Sequence, residues 1–308
     1  MENDLVLCSQ KIDELVNLLT SIQSKVADAT KLHALITASA EFKEYLNQTN
    51  LSLSFEDLKT ALLSDNWPVA VDKSLICDPN DEESKKERAY NIVDFLVKKD
   101  GGKFLDFGCG EGHTTYAAKD LLKSTFFVGY DIKKDSHWVN SDNLIFTDSY
   151  EEVKSNGPYD VILLYDVLDH VSSESPVSLL QKVYEVLSPT GEVHMRCHPW
   201  ISVNGAHLHR DVNKAYAHLI FTEEELKLIA PNLVLEPNIK VVKPYLTYGK
   251  YIDDSKLKIK QHEETKHEGD LTFFKIPTIT EKILQSSGMK AFPEFQMRIN
   301  FIDYVLTK

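Results

Sequence analysis

The amino-acid sequence predicts an α/β protein built around a mostly parallel sheet, and three observations carry that prediction. Short apolar runs alternate with amphipathic helical stretches between residues 83 and 200. A Gly-x-Gly-x-Gly turn, Gly108 to Gly112, joins one of those runs to the helix that follows it. The acid Asp131 closes the next run, 25 residues beyond Asp106, which stands just before the turn. Strands alternating with helices of roughly 10–15 residues are the mark of parallel β-α-β units.

The elements follow in order. The first 65 residues contain neither Gly nor Pro. Apolar residues at Leu5, Cys8, Ile12, Leu15, Leu19, Ile22 and Val26 step by three and four, a single stripe of one helix. Helices around Ala34–Leu46 and Phe55–Leu63 follow, the latter with Ser52 or Ser54 placed to cap it. This region reads either as a small bundle on the main domain or as an arm for a partner or a second copy. Trp67 to Asp81 is irregular, with a Pro79-Asn80-Asp81 turn. Glu83–Lys99 is an amphipathic helix with Ala89, Ile92, Val93, Leu96 and Val97 on one face.

Strand Phe104–Phe107, helix Thr114–Leu122 and strands Phe126–Tyr130 and Leu144–Phe146 come next. The wholly apolar Val161–Leu164 is another strand. Helix Val177–Leu187 ends at Pro189 and Gly191, and Val193–Arg196 is a further strand. Residues 198–236 are rich in His and Asn, with a helix over Thr222–Ile229, and residues 237–275 show no clear periodicity. A helix around Thr280–Ser286 and an alternating strand, Phe295–Leu306, close the chain.

Composition sets the outer limits. With 308 residues, 43% apolar and 26% charged, the chain makes one large domain with appendages or two domains. A net charge of −13 argues against a protein that coats nucleic acid, which needs a basic face. No apolar run approaches the ~20 residues of a membrane helix. Glu2 and Asp4 stand where a signal peptide needs basic residues. Cys8, Cys77, Cys109 and Cys197 form no Cys-x-x-Cys pair, so reduced thiols and a cytoplasmic location are expected.

The chemistry lies in Leu105-Asp106-Phe107-Gly108-Cys109-Gly110-Glu111-Gly112-His113. Glycines at a strand-to-helix turn permit a tight bend and a close approach by a ligand. A carboxylate at Asp131 can accept both hydroxyls of a ribose. A dinucleotide and S-adenosylmethionine both use such a pair. The dinucleotide fingerprint needs a sixth-position glycine, where this chain has His113, and Asp106 would repel a diphosphate. A cofactor carrying an ammonium group is attracted by the same carboxylate. The charges select S-adenosyl-L-methionine.

On these residues, the segment 83–200 resembles the class I S-adenosylmethionine-dependent methyltransferase superfamily. Asp106 to Gly112 resembles its first motif, and Asp131-Ile132 its ribose-binding acid and the residue beside it. Asp148-Ser149 matches the position near the adenine. Tyr159 to Val171 resembles the fourth motif, and Leu187-Ser188-Pro189-Thr190-Gly191-Glu192-Val193 the approach to the fifth strand. The resemblance implies a Rossmann-like, seven-stranded, mostly parallel sheet whose last strand runs antiparallel. It implies a cofactor held by Asp106, Gly108, Cys109, Gly110, Gly112, Asp131, Ile132, Asp148, Ser149 and Asp166. The organisation expected is an N-terminal helical region over 1–66 and a methyltransferase domain over 67–308. Within that domain, 83–200 and 276–308 form the core, with an insertion at about 201–275 before the last strand. The resemblance covers neither the N-terminal region nor the insertion, so it names no acceptor.

Sites in open α/β sheets lie beyond the carboxyl ends of the strands. Asp166, Asp169, His170, Cys197, His198 and Trp200 are therefore the candidates on the acceptor side. His170 and His198 are the expected catalytic residues, because an imidazole can take an acceptor proton near neutral pH. Asp166 reads as a cofactor or substrate contact. His194, His198, His207, His209 and His218 fall within 25 residues and suggest a polar lid. His207 and His209 with His198 or Asp211 offer only a weak metal pattern, and no metal is expected. Lys240, Lys243, Lys250, Lys256, Lys258 and Lys260 alternate with Tyr245, Tyr248 and Tyr251. That mixture suits phosphates and stacked bases, a sugar-binding surface, or one packed helical face. A small-molecule or glycan acceptor is favoured over RNA cap or ribose methylation. No Asn-Pro-Pro-Tyr or Asp-Pro-Pro-Tyr signature of nucleobase methylation follows Leu164. A non-catalytic interaction module is the reading from another class, weakened by the intact Asp106–glycine–Asp131 set.

Overall fold

Residues that alternate along a strand face opposite sides of the sheet, and both sides of this sheet are apolar. In a computed structural model, the described residues are 54–63, 67–72, 81–94, 100–172, 175–205, 207–208, 211–235, 245–267, 274, 276–290 and 294–308. The heptad stripe from Leu5 to Val26 and the helix over Ala34–Leu46 lie outside them.

The described residues pack as two units that interleave along the chain. One takes residues up to Ala70, Leu208–Val234 and the described residues between 274 and 290; the other takes the remainder.

The larger unit holds the sheet. Its strands are β1 (Gly102–Phe107), β2 (Thr125–Tyr130), β3 (Leu144–Thr147), β4 (Tyr159–Tyr165), β5 (Leu187–Cys197), β6 (Lys258–Lys266) and β7 (Ile299–Thr307). They lie in the order β3-β2-β1-β4-β5-β7-β6. The first five are parallel, β7 runs antiparallel to β5, and β6 runs antiparallel to β7. The expected Rossmann-like sheet, with an antiparallel closing strand, is therefore present. Order reverses between β1 and β4, the crevice where open α/β sheets bind ligands.

Phe104, Phe127, Val161 and Leu163 face one side of the sheet, where they pack with Ala89, Val93, Ala117 and Ala118. The last four come from α1 of this unit (Glu82–Val93) and α2 (His113–Leu121). Leu105, Phe107, Val128, Ile162 and Leu164 face the other side, with Leu180 and Val183. Burial on both faces is why β4 reads as an unbroken apolar run. Helices α3 (Tyr150–Asn156), α4 (Pro176–Val186), α5 (Tyr245–Asp254) and α6 (Glu294–Met297) complete this unit.

Several elements depart from the sequence reading, among them Phe295–Met297, which lies in the short helix α6 while the last strand begins at Ile299. Residues 237–275 carry α5 and β6, so the stretch expected as an insertion supplies a strand of the sheet. β6 is an edge strand whose residues are exposed on both faces apart from Glu264, and its charged sequence shows no apolar alternation. Pro189 and Gly191 lie inside β5 rather than beyond a helix end, since the helix stops at Val186 and the chain enters the strand at once.

In the smaller unit, α7 (Phe55–Leu63), α8 (Ala217–Ile220), α9 (Glu223–Leu226) and α10 (Pro277–Ser287) meet around aromatic residues. Phe221 lies 5.7 Å from Phe55 and 5.6 Å from Trp67, whose indole N–H donates to Ala215 O at 2.9 Å. Thr222 caps α9 through a reciprocal pair with Glu225. No described helix in either unit is long and apolar enough to cross a membrane.

Candidate active site

The loop after β1 is fastened to the end of β2 through backbone bonds. Gly108 N and Cys109 N both donate to Tyr130 O, at 2.7 and 3.0 Å. Asp131, the next residue, accepts from Gly110 N at 2.9 Å through Oδ2 and from Lys133 N at 3.3 Å through Oδ1. The sequence-predicted Asp106, Gly108, Cys109, Gly110, Gly112 and Asp131 are thereby gathered at the carboxyl ends of β1 and β2. Ile132 is 85% exposed beside them. Asp148 and Ser149 follow β3, the next strand outward, and are exposed. Asp131 N donates to Thr147 O at 3.3 Å, which ties that strand end to the loop.

Asp106 behaves differently from a surface acid. It is 3% exposed, and the Thr115 hydroxyl of α2 donates to its Oδ2 at 2.7 Å. Burial pushes its carboxyl up to about 7; the Thr115 bond pulls it down and the Asp131 charge adds to the rise. Its carboxylate sits against α2, so only its field can reach a cation at the loop. The Cys109 thiol is buried and pushed up by that burial, which makes it inert rather than nucleophilic.

The turn after β4 stands against this loop. A Cβ on Gly108, whose φ is +90°, would meet Val167 Cγ2 at 2.4 Å. Asp166, just before Val167, has a φ of 57°, a left-handed conformation that Asp tolerates better than most residues. Its Oδ2 accepts from Arg88 of α1 at 3.1 Å, and His198 Nε2 lies 3.1 Å from its Oδ1. Burial pushes the Asp166 carboxyl up. The charge and hydrogen bond of His198, with Arg88 and His207, outweigh this and bring it down to about 2. His198 moves the opposite way: burial lowers it, but Asp166 and Asp169 leave its imidazole more basic than usual.

His198 is held by its backbone as well. The buried Asp169 accepts from His198 N at 2.8 Å and from the Tyr248 hydroxyl at 2.6 Å. The same hydroxyl lies 3.2 Å from His198 O. Tyr248, on α5, is 1% exposed. His170 ends the short 3-10 turn Leu168–His170. The His207 ring stands 5.1 Å from His198 and 5.3 Å from His170, so both expected catalytic histidines flank it.

Of the five histidines read as a polar lid, His209 lies outside the described residues. His194 lies within β5, 3.5 Å from Glu192, and His218 is buried in the smaller unit. Cys197 is fully buried, and Trp200 half-buried. Tyr248 is committed to Asp169, which removes it from any base-stacking surface. Among the described residues, Glu82, Glu111 and His113 bring ligand-type atoms within 4.8 Å of one another. Lys85 Nζ already lies 3.0 Å from Glu82 and 2.7 Å from Glu111, so a protein cation balances those acids.

Arg88 and Phe301 escaped the sequence reading as site residues, and Tyr248 entered it only as one of several tyrosines among lysines. Arg88 is one of many charges on a surface helix, and Tyr248 lay in a stretch without a clear period. Phe301 faces His198 at 5.6 Å and carries the Arg196 guanidinium 3.8 Å from its ring centroid. It looked like one more alternating strand residue.

Residues 82–229 match a family model described as a methyltransferase domain. No curated protein matches the chain in sequence. Among solved structures, a 1,6-didemethyltoxoflavin-N1-methyltransferase from Burkholderia thailandensis is similar at 14% identity and a TM-score of 0.39, over 74% of this chain and 79% of that one. A cyclopropane synthase from Mycobacterium tuberculosis is similar at 17% identity and a TM-score of 0.46, over 84% and 100%. A methyltransferase from Archaeoglobus fulgidus is similar at 15% identity and a TM-score of 0.41, over 72% and 94%. The sequence match shows that residues 82–229 carry a methyltransferase domain, the domain of an enzyme. The strand order and the acid–glycine–acid geometry fit the S-adenosylmethionine-dependent class, and S-adenosyl-L-methionine is the cofactor that suits the loop.

Proposed function

We propose that this methyltransferase acts on a proton-bearing oxygen or nitrogen of a small molecule or glycan. The Asp166–His198 pair, beside the cofactor loop, carries the reading. A hydroxyl or ammonium acceptor must lose a proton as it is methylated, and a half-buried imidazole paired with a carboxylate is suited to receive it. In this reading His198 takes the proton and Asp166 stabilises the imidazolium that results. His170 contacts the acceptor from the far side of His207.

The cofactor, when bound, supplies the electrophilic methyl group, and the residues of this chain orient, desolvate and deprotonate. Gly110 and Asp131 would hold the adenosyl portion, with Ile132, Asp148 and Ser149 on its outer side. Asp106 would favour the ammonium end through its field. A small acceptor is supported over nucleic acid by the net charge of −13 and by the internal use of Tyr248.

The test is transfer of labelled methyl to panels of metabolites, glycans and RNA, with wild type and His198→Gln. Transfer to a hydroxylated or amino metabolite or glycan, lowered about 100-fold or more in the variant, is expected of a general base. Transfer confined to RNA, or unchanged in His198→Gln, contradicts the reading.

A further inference from the structure

The glycines around the cofactor loop face different surroundings. A Cβ on Gly112 would meet the Phe146 ring at 2.8 Å, and one on Gly129 would meet it at 2.4 Å. Phe146 fills the space that both leave, so these two glycines serve packing. Gly110 differs, because no atom lies within 4 Å of the place its Cβ would take. Its backbone borders open space.

That backbone is nevertheless held on both sides. The Gly110 N–H donates to Asp131, and its carbonyl accepts from Trp138 Nε1 at 2.8 Å. Trp138 lies on the segment after β2 and stacks on Phe146, with centroids 5.5 Å apart and planes 15° apart. Phe146 in turn meets Tyr116 at 5.1 Å. The Tyr116 hydroxyl donates to His137 O at 2.8 Å and accepts from Val139 N at 2.9 Å, which fixes the chain on either side of the tryptophan. Tyr116, Phe146 and Trp138 thus form an aromatic brace ending on the carbonyl of Gly110, the loop glycine whose Cβ side faces open space.

We propose that Trp138 is a cofactor-positioning residue, whose indole N–H presets the Gly110 peptide for the adenosyl ligand before it arrives. Fixing a loop in its bound form removes an ordering cost from binding. A tryptophan suits this task, since its ring locks against Phe146 while its single donor reaches the carbonyl. The inference rests on the cofactor assignment, and the experiment separates the two.

S-adenosylhomocysteine is titrated calorimetrically into wild type, Trp138→Phe and Asp131→Ala, with thermal unfolding of each. Trp138→Phe keeps an aromatic ring against Phe146 and loses only the donor. Roughly tenfold weaker binding is expected, the effect of one net hydrogen bond, with a midpoint near that of wild type. The Trp138 indole N–H resonance of wild type, which needs no variant, is expected to move on addition of S-adenosylhomocysteine. Wild-type affinity in Trp138→Phe, or an indole resonance unmoved by ligand, overturns the inference. If Asp131→Ala alone loses binding, the cofactor assignment stands and the role of Trp138 falls. If wild type does not bind, both fall.

Discussion

His198 Nε2 lies 3.1 Å from Asp166 Oδ1, across the carboxyl ends of the adjacent strands β5 and β4. Each partner moves the other: the acid falls to about 2 and the imidazole becomes more basic. The same carboxylate takes Arg88 through its other oxygen. One acid therefore links α1, the turn after β4 and the end of β5.

If His198 accepts the acceptor proton, activity needs its neutral form. Its pKa is raised above 6.5, so kcat/KM is expected to rise with pH through a point above that value. In Asp166→Asn the carboxylate that raises it is gone, and the inflection moves to lower pH while the maximum falls. A pH–rate profile of both proteins reads this. An inflection unmoved by the substitution would separate His198 from the titrating step.

The same pair sets a stability window. His198, raised in the fold, contributes stability that is present below its unfolded value near 6.5 and lost as pH rises through its folded value. Asp166, lowered to about 2, contributes stability that is present above about 3.8 and lost as pH falls through about 2. Urea midpoints of wild type minus Asp166→Asn are expected to be largest between these limits. A difference flat from pH 3 to 9 contradicts the ion pair.

Asp106 has the opposite sign to an ordinary paired acid. Its folded carboxyl stands at about 7 against 3.8, so its contribution favours the fold below about 3.8 and is lost as pH rises to about 7. At ~1.4 kcal/mol per pH unit, keeping it ionised above that range costs on the order of 4 kcal/mol. Asp106→Asn is expected to be relatively more stable at pH 8 than at pH 5. Binding of a cationic ligand favours the ionised form, so S-adenosylmethionine affinity is expected to rise with pH through about 7 and proton release to accompany binding. Calorimetry in buffers of different ionisation enthalpy measures that release.

Tyr248→Phe removes the donor at 2.6 Å from the buried Asp169 and leaves a carboxylate oxygen short of a partner. A loss of ~1–3 kcal/mol in stability is expected. The larger effect falls on catalysis, because Asp169 also holds His198 N. Denaturant unfolding and a split of kcat from KM distinguish the two losses; an unchanged kcat would leave Tyr248 with packing alone.

The sheet was legible because its strands carry their own signal. β1 and β4 are buried on both faces and read as apolar runs, while the glycine loop and Asp131 mark the turn at their ends. Asp106 to Gly112 and Asp131 stood out by residue type and spacing, and the fold brings them together where β1 and β2 end. β6 was illegible, since an edge strand pairs through its backbone and its exposed charged side chains show no apolar alternation. Tyr248 was visible as a residue but not as a contact. Its partner Asp169 is 79 residues away, and only the packing of α5 reveals that a tyrosine in a lysine-rich stretch points inward. His170 likewise stands 28 residues before His198 in sequence, and only the fold brings both rings against His207.

A methyl-donor site built on Gly110 and Asp131 is read by calorimetric titration with S-adenosylmethionine, S-adenosylhomocysteine and NAD. Wild type is expected to bind both adenosyl ligands at micromolar concentration and NAD not at all. Asp131→Ala, which removes the acceptor of the Gly110 N–H, is expected to bind neither. Binding of NAD in their place, or adenosyl binding indifferent to Asp131, would contradict the account.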